Sequence, residues 1–232
     1  MGKERFSTPI KKHETIIGWI YLFLHIFVVW ELMFRLNHRL SLGLDTAGVN
    51  FAYYAVGFAI VLIFLFSFLK KSFGDLCENL GRSATSIILG YFATYAITVA
   101  VSIIVSLITT GGVNPNESAI DELIPLNPNV MKAIAVFLAP VVEETLFRGV
   151  VFGSIRKSSR VFAYIVSTLL FSVYHLWSYV AFGLDWSVLI YMLEYVPASI
   201  ALAWCYERSR NIWAPIFLHM AINFVAVSLQ LL

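Results

Sequence analysis

Residues 130–152 read VMKAIAVFLAPVVEETLFRGVVF. Twelve Val, Ile, Leu and Phe residues make this a membrane-length apolar stretch, yet Glu143, Glu144 and Arg148 interrupt it. An ionised side chain at the centre of a membrane helix costs about 2.5–3.5 kcal/mol on insertion scales. Three of them cost on the order of 8–10 kcal/mol, and the twelve apolar residues return only about 5 kcal/mol. The segment is a poor span on its own, so its charges require partners on neighbouring helices. Charges held at such a cost usually mark function.

The rest of the chain has the same character. Of 232 residues, 59% are hydrophobic and 13% charged, with a mean hydropathy of +0.81. Soluble domains carry about a quarter charged residues, so the expected fold is an all-α polytopic membrane bundle, with the lipid bilayer as its first partner. A net charge of +2, without a basic stripe, argues against nucleic acid. Cys77 and Cys205 lie too far apart for a zinc spacing or a disulfide framework and read as free thiols. Lys3, Arg5, Lys11 and Lys12 precede the first apolar run, and no A-x-A-like site follows, which predicts an uncleaved first span.

Apolar runs of about twenty residues, enough to cross a bilayer, fall near 15–36, 49–69, 84–108, 130–154, 161–182, 187–206 and 212–232, predicting about seven transmembrane helices. If these alternate, the four N-terminal cations share one side with Lys70, Lys71, Arg82, Arg156, Lys157, Arg160, Arg208 and Arg210. Only Arg39 and Lys132 lie near the other side, with Glu117, Asp121, Glu122 and Asp185. The positive-inside rule then makes the N-terminus cytoplasmic and the C-terminus external. The loop from Thr109 to Asn129 is rich in turn residues, and residues 119–124 could form a short surface helix ended by Pro125. No internal repeat is visible. The chain divides into a three-span region with its external loop, 1–129, and a four-span core, 130–232, within one integral membrane domain.

The polar residues inside the spans follow helical spacing. Glu144 and Arg148 stand at i, i+4 and can pair within the helix. Glu143 is turned by about 100° and must face something else. A helix-packing ion pair is the bland interpretation, but a buried pair rarely offsets its own desolvation. Pro140 removes one helical hydrogen bond and is expected to free the carbonyl of Val136. His175, alone on its span, and Asn223, four residues after His219, would each separately suggest hydrogen-bonded packing. Together with Glu143 they form a set able to activate water and stabilise an oxyanion. Glu31 and Arg35 form a second i, i+4 pair, His25 has no evident partner, and Glu194 is a candidate cavity residue. The numerous aromatics are expected to face lipid or form interfacial belts.

Three strings carry a resemblance: Glu143-Glu144-x-x-x-Arg148 followed by Gly149, Phe171-x-x-x-His175, and His219-x-x-x-Asn223. In this order, on separate spans, they resemble the CAAX-protease and bacteriocin-processing family of intramembrane peptidases, the Abi family, over residues 130–226. The sixth span departs from the family's glycine-rich habit and reads Tyr195-Val-Pro-Ala-Ser199. The resemblance implies that Glu143 and His175 activate a water for attack on a peptide carbonyl. His219 and Asn223 would stabilise the oxyanion, with Glu144 and Arg148 supporting the site. Metal-free chemistry is favoured, with zinc on Glu143, His175 and His219 the alternative, since no H-E-x-x-H pair occurs. The implied substrate is a peptide or membrane protein, in bacteriocin or peptide-signal processing or self-immunity at a bacterial plasma membrane. A non-catalytic membrane adaptor is the competing function, and a proton-coupled carrier a third. Counting at 1.5 Å per residue puts Glu143 and His219 towards the cytoplasmic half and His175 nearer the external half.

Overall fold

A computed structural model describes residues 6–181, 183 and 185–231. Lys3 and Arg5, counted above among the cytoplasmic cations, lie outside them. All regular structure among the described residues is helical. The helices are α1 (Lys12–Arg39), α2 (Thr46–Phe64), α3 (Phe66–Glu78), α4 (Leu80–Ile108), α5 (Pro115–Leu126), α6 (128–156), α7 (Arg160–Ala181), α8 (Trp186–Ser209) and α9 (Trp213–Leu229). Helices α1, α2, α4, α7 and α8 are long and apolar enough to cross a membrane, and α9 is an apolar helix of 17 residues. The chain is a polytopic integral membrane protein.

Local chemistry sets the element ends. Asp45 accepts the Gly48 amide at 2.8 Å and Asp185 that of Ser187 at 2.8 Å, each capping a helix start. Glu14 accepts the Lys11 amide and the Phe68 amide, both at 2.9 Å, so one buried carboxylate caps α1 and α3 together. That double cap helps explain a departure from expectation. The predicted second span, 49–69, is broken at Leu65, whose φ of −112° leaves the helical region. Helix α3 then buries Phe68, Leu69, Ser72 and Leu76 on one face and exposes Lys70 and Lys71 on the other.

Helix α5 also differs from expectation, starting earlier and running past the proline. Pro115 opens it behind the Asn114 cap, which accepts the Asn116 amide at 3.0 Å. Pro125 lies inside it because only Leu126 remains, and the Asn127 amide still reaches the Leu123 carbonyl at 3.0 Å.

The linkers sort to two ends, as alternation of the spans requires. At one end Arg156 bonds Glu207 at 2.5 Å and lies over Phe6, Asn211 bonds Ser83, and Trp213 bonds the Leu69 carbonyl. At the other, Asn127 bonds Asp45 and Asn114 bonds Glu194.

Helix α6 lies at the centre. Every residue from 138 to 153 is buried. Its Val142, Leu146, Phe147, Val150 and Phe152 pack into a core with Leu22 of α1, Val61 of α2, Phe68 of α3, Ala163 of α7, Tyr206 of α8 and Ile216 of α9. Helix α4 lies outside this core, with Ile88, Phe92, Ile103 and Leu107 among its exposed apolar residues. Close packing around α6 depends on Gly149, where an added Cβ would stand 2.7 Å from the ring of Phe68. Overpacking of this kind costs about 1–3 kcal/mol. Gly149→Val should therefore lower the thermal midpoint of the detergent-solubilised protein, and an unchanged midpoint would rule out that tight contact.

Candidate functional site

Helix α6 alternates between two helical registers. Ala133–Leu138 and Glu144–Phe152 are π-helical, with α-helical segments before, between and after. Such turns are rare and often occur at functional sites. The register changes the consequence of Pro140. The Ala139 amide bonds the Ile134 carbonyl, five residues back, so in the same register the missing donor at Pro140 orphans the carbonyl of Ala135, not that of Val136. Asn223 of α9 supplies the replacement, donating its amide to the Ala135 carbonyl at 2.7 Å.

The paired charges stand four residues apart at the start of the second π segment. Arg148 Nη1 donates to Glu144 Oε1 at 2.9 Å, and both side chains are completely buried. Its Nη2 donates to the Ser199 carbonyl at 3.2 Å and hydroxyl at 3.0 Å, and its guanidinium lies 4.3 Å from the centre of the Phe171 ring. Ser199 belongs to the stretch where the sixth span departs from a glycine-rich pattern, and it holds the arginine. Its hydroxyl in turn donates to Thr168 Oγ1 at 3.2 Å.

Glu144 also meets His219 Nδ1 at 2.8 Å on the same Oε1. A carboxylate partner makes Nδ1 the protonated nitrogen and leaves Nε2 free. That Nε2 stands 4.0 Å from Glu143 Oε2. The other oxygen of Glu143 accepts the Tyr54 hydroxyl of α2 at 2.9 Å. His175 Nδ1 bonds the Phe171 carbonyl at 2.8 Å, which by the same logic leaves its Nε2 free. Phe171 therefore contacts Arg148, His175 and, at 6.1 Å between ring centres, His219.

Glu143, Glu144, Arg148 and His219 thus form one contiguous cluster, with Asn223 on the neighbouring turn of α9. No hydrogen bond joins His175 to Glu143 among the described residues. His175 instead stacks on Tyr195, 4.3 Å between ring centres. Tyr195 and Glu194 both receive the side-chain amide of Asn114, at 3.1 and 2.8 Å, so Glu194 is tied to the connection between residues 109 and 129. On that loop, burial and the nearby carboxylates of Glu194 and Asp121 push the Glu117 carboxyl above its usual range. Among the described residues no three His, Cys, Asp or Glu side chains converge so as to hold a metal ion. Spacing alone leaves Tyr54 and Tyr174 among the lipid-facing aromatics, although a tyrosine hydroxyl inside a membrane helix signals a partner.

Residues 125–225 match the family model described as Type II CAAX prenyl endopeptidase Rce1-like. The chain is 29% identical over 156 residues, 66% of its length and 59% of the relative, to YdiL of Bacillus subtilis (strain 168), provisionally named a membrane peptidase. It is 30% identical to the UPF0177 protein YxdF of Lactococcus lactis subsp. lactis (strain IL1403), over 40% of this chain and 45% of that protein. It is 24% identical to YvdC of the same organism, over 62% of this chain and 52% of that protein. The matches span about half to three-fifths of the length of these relatives. No solved structure matches.

Removing Arg148 would leave Glu144 buried without a counter-charge, a loss of about 3–5 kcal/mol. Arg148→Ala should lower the amount of folded protein in the membrane, and adding Glu144→Gln should recover part of it. Wild-type abundance of Arg148→Ala would refute the pairing.

Proposed function

We propose, from its membership of the CAAX-protease and bacteriocin-processing peptidases, that this chain is an intramembrane endopeptidase. It hydrolyses a peptide bond with water activated at Glu143. One observation carries this reading: Glu143 Oε2 and His219 Nε2 face each other at 4.0 Å in a buried site. That is a gap one water molecule can bridge. Glu143 takes the water's proton as the oxygen attacks the substrate carbonyl. Glu144 orients the His219 ring and balances any charge it gains, while Arg148 neutralises Glu144. Asn223 uses one amide hydrogen on the Ala135 carbonyl, and its second is the donor for the oxyanion. His175 keeps the role that the family resemblance gives it, a base beside the water, with Nε2 as the accepting nitrogen.

The substrate class is a peptide or membrane-associated protein cleaved within or near a bacterial plasma membrane, in bacteriocin maturation, self-immunity or peptide-signal processing. The family description and the name of the Bacillus relative support the peptidase class. The water activation, assigned here without a metal, rests on this chain's own geometry.

Glu143→Gln and His175→Ala should each abolish processing of a candidate precursor peptide followed by mass spectrometry in membranes containing the variant. Normal processing, or normal biological effect, in both variants would overturn the catalytic assignment, and a biological effect without any processing would favour an adaptor that acts by binding. Metal analysis and chelation test the chemistry separately. Turnover should survive chelation, and a loss restored by zinc would replace this water activation with a metal-assisted one.

A further inference from the structure

The family match begins at residue 125, yet α1 and α2 contribute polar side chains that end at Glu143. Tyr54 donates to Glu143 Oε1 at 2.9 Å, and its oxygen lies 2.8 Å from the Tyr174 hydroxyl of α7. Tyr174 lies 3.4 Å from Nε2 of His25, and the Tyr21 hydroxyl lies 3.3 Å from Nδ1 of the same ring. Tyr53 donates to the His25 carbonyl at 3.0 Å. His25 is fully buried and is sandwiched by the Tyr53 and Tyr174 rings, at 4.4 and 5.5 Å between centres.

Each phenol carries one proton, and that fixes the direction of the chain. The Tyr54 proton goes to Glu143, so Tyr54 must accept from Tyr174. The Tyr174 proton is then used, so His25 must donate to it from Nε2. His25 Nδ1 is left to accept from Tyr21. Every donor along the path points towards Glu143, and bonds aligned in one direction polarise one another. The path ends on Oε1 and leaves Oε2 facing His219.

We propose that His25, acting through Tyr174 and Tyr54, is a positioning residue that pins Glu143 Oε1 and reserves Oε2 for the reacting water. This rests on the assignment of Glu143 as the base. The N-terminal spans are then part of the catalytic machinery.

Three variants test the chain. Tyr54→Phe removes the bond to Glu143. His25→Phe keeps the ring stack but loses the donor, and His25→Gln keeps a donor. Tyr54→Phe and His25→Phe should each lower kcat about tenfold or more with KM unchanged, and His25→Gln should recover most of the rate. Infrared difference spectra against Glu143→Gln isolate the Glu143 carboxyl band without any need for turnover. That band should shift in Tyr54→Phe and in His25→Phe, and return in His25→Gln. An unshifted band in His25→Phe overturns the proposal whether or not a substrate is cleaved. Unchanged kcat in His25→Phe, with an active wild type, overturns it equally. A wild type that cleaves nothing while the band shifts counts against the peptidase reading and supports the pinning.

Discussion

The buried Glu144–Arg148 pair is the constraint around which the bundle is built. Neither side chain can face lipid, and a pair so placed gains little over its desolvation unless further donors and acceptors surround it. The chain meets the demand by enclosing α6 on all sides: nothing from residue 138 to 153 reaches the surface. Four of the five helices with the length and composition of membrane spans, α1, α2, α7 and α8, pack against it. Ser199, Phe171 and His219 arrive from three different helices to complete the shell of the pair. The same closeness that excludes lipid brings Glu143 within reach of an imidazole and a phenol. Stability and chemistry thus share one set of contacts.

What could be read from the sequence was what covalent register determines. Glu144 with Arg148, Glu31 with Arg35, and five of the spans follow from spacing along one helix, and the structure contains them. Contacts between helices were harder. Nothing in the spacing says that Glu144 shares one oxygen between Arg148 and His219, or that Ser199 meets the guanidinium. Helical register itself also misled. Counting four residues back from Pro140 points to the Val136 carbonyl, whereas the π turn frees that of Ala135. The break in the second span leaves no mark in the sequence, because Leu65 is as apolar as its neighbours and Glu14, which caps the helix after it, lies on another helix.

The aromatic residues show a different limit. Composition suggests lipid-facing belts, and Phe23, Phe92 and Trp186 are indeed exposed. Tyr21, Tyr53, Tyr54 and Tyr174 instead use both halves of their character, packing their rings in the interior and bonding through their hydroxyls. Phe, Tyr and Trp look alike in a hydropathy count, and the single oxygen that distinguishes tyrosine decides where it goes.

Three π turns occur among the described residues: His25–Val29 opens on His25, Glu144–Phe152 opens on Glu144, and Ala133–Leu138 holds the Ala135 carbonyl that Asn223 bonds. Their presence bears on how the chain can change in length over descent. Losing one residue from an α-helix swings everything beyond it by about 100°. Losing one from a π turn can be absorbed where it occurs, because the turn closes to α register and both helix ends stay in place. Single-residue gaps between related chains should therefore gather at these three turns, leaving the α-helical stretches between them constant in length.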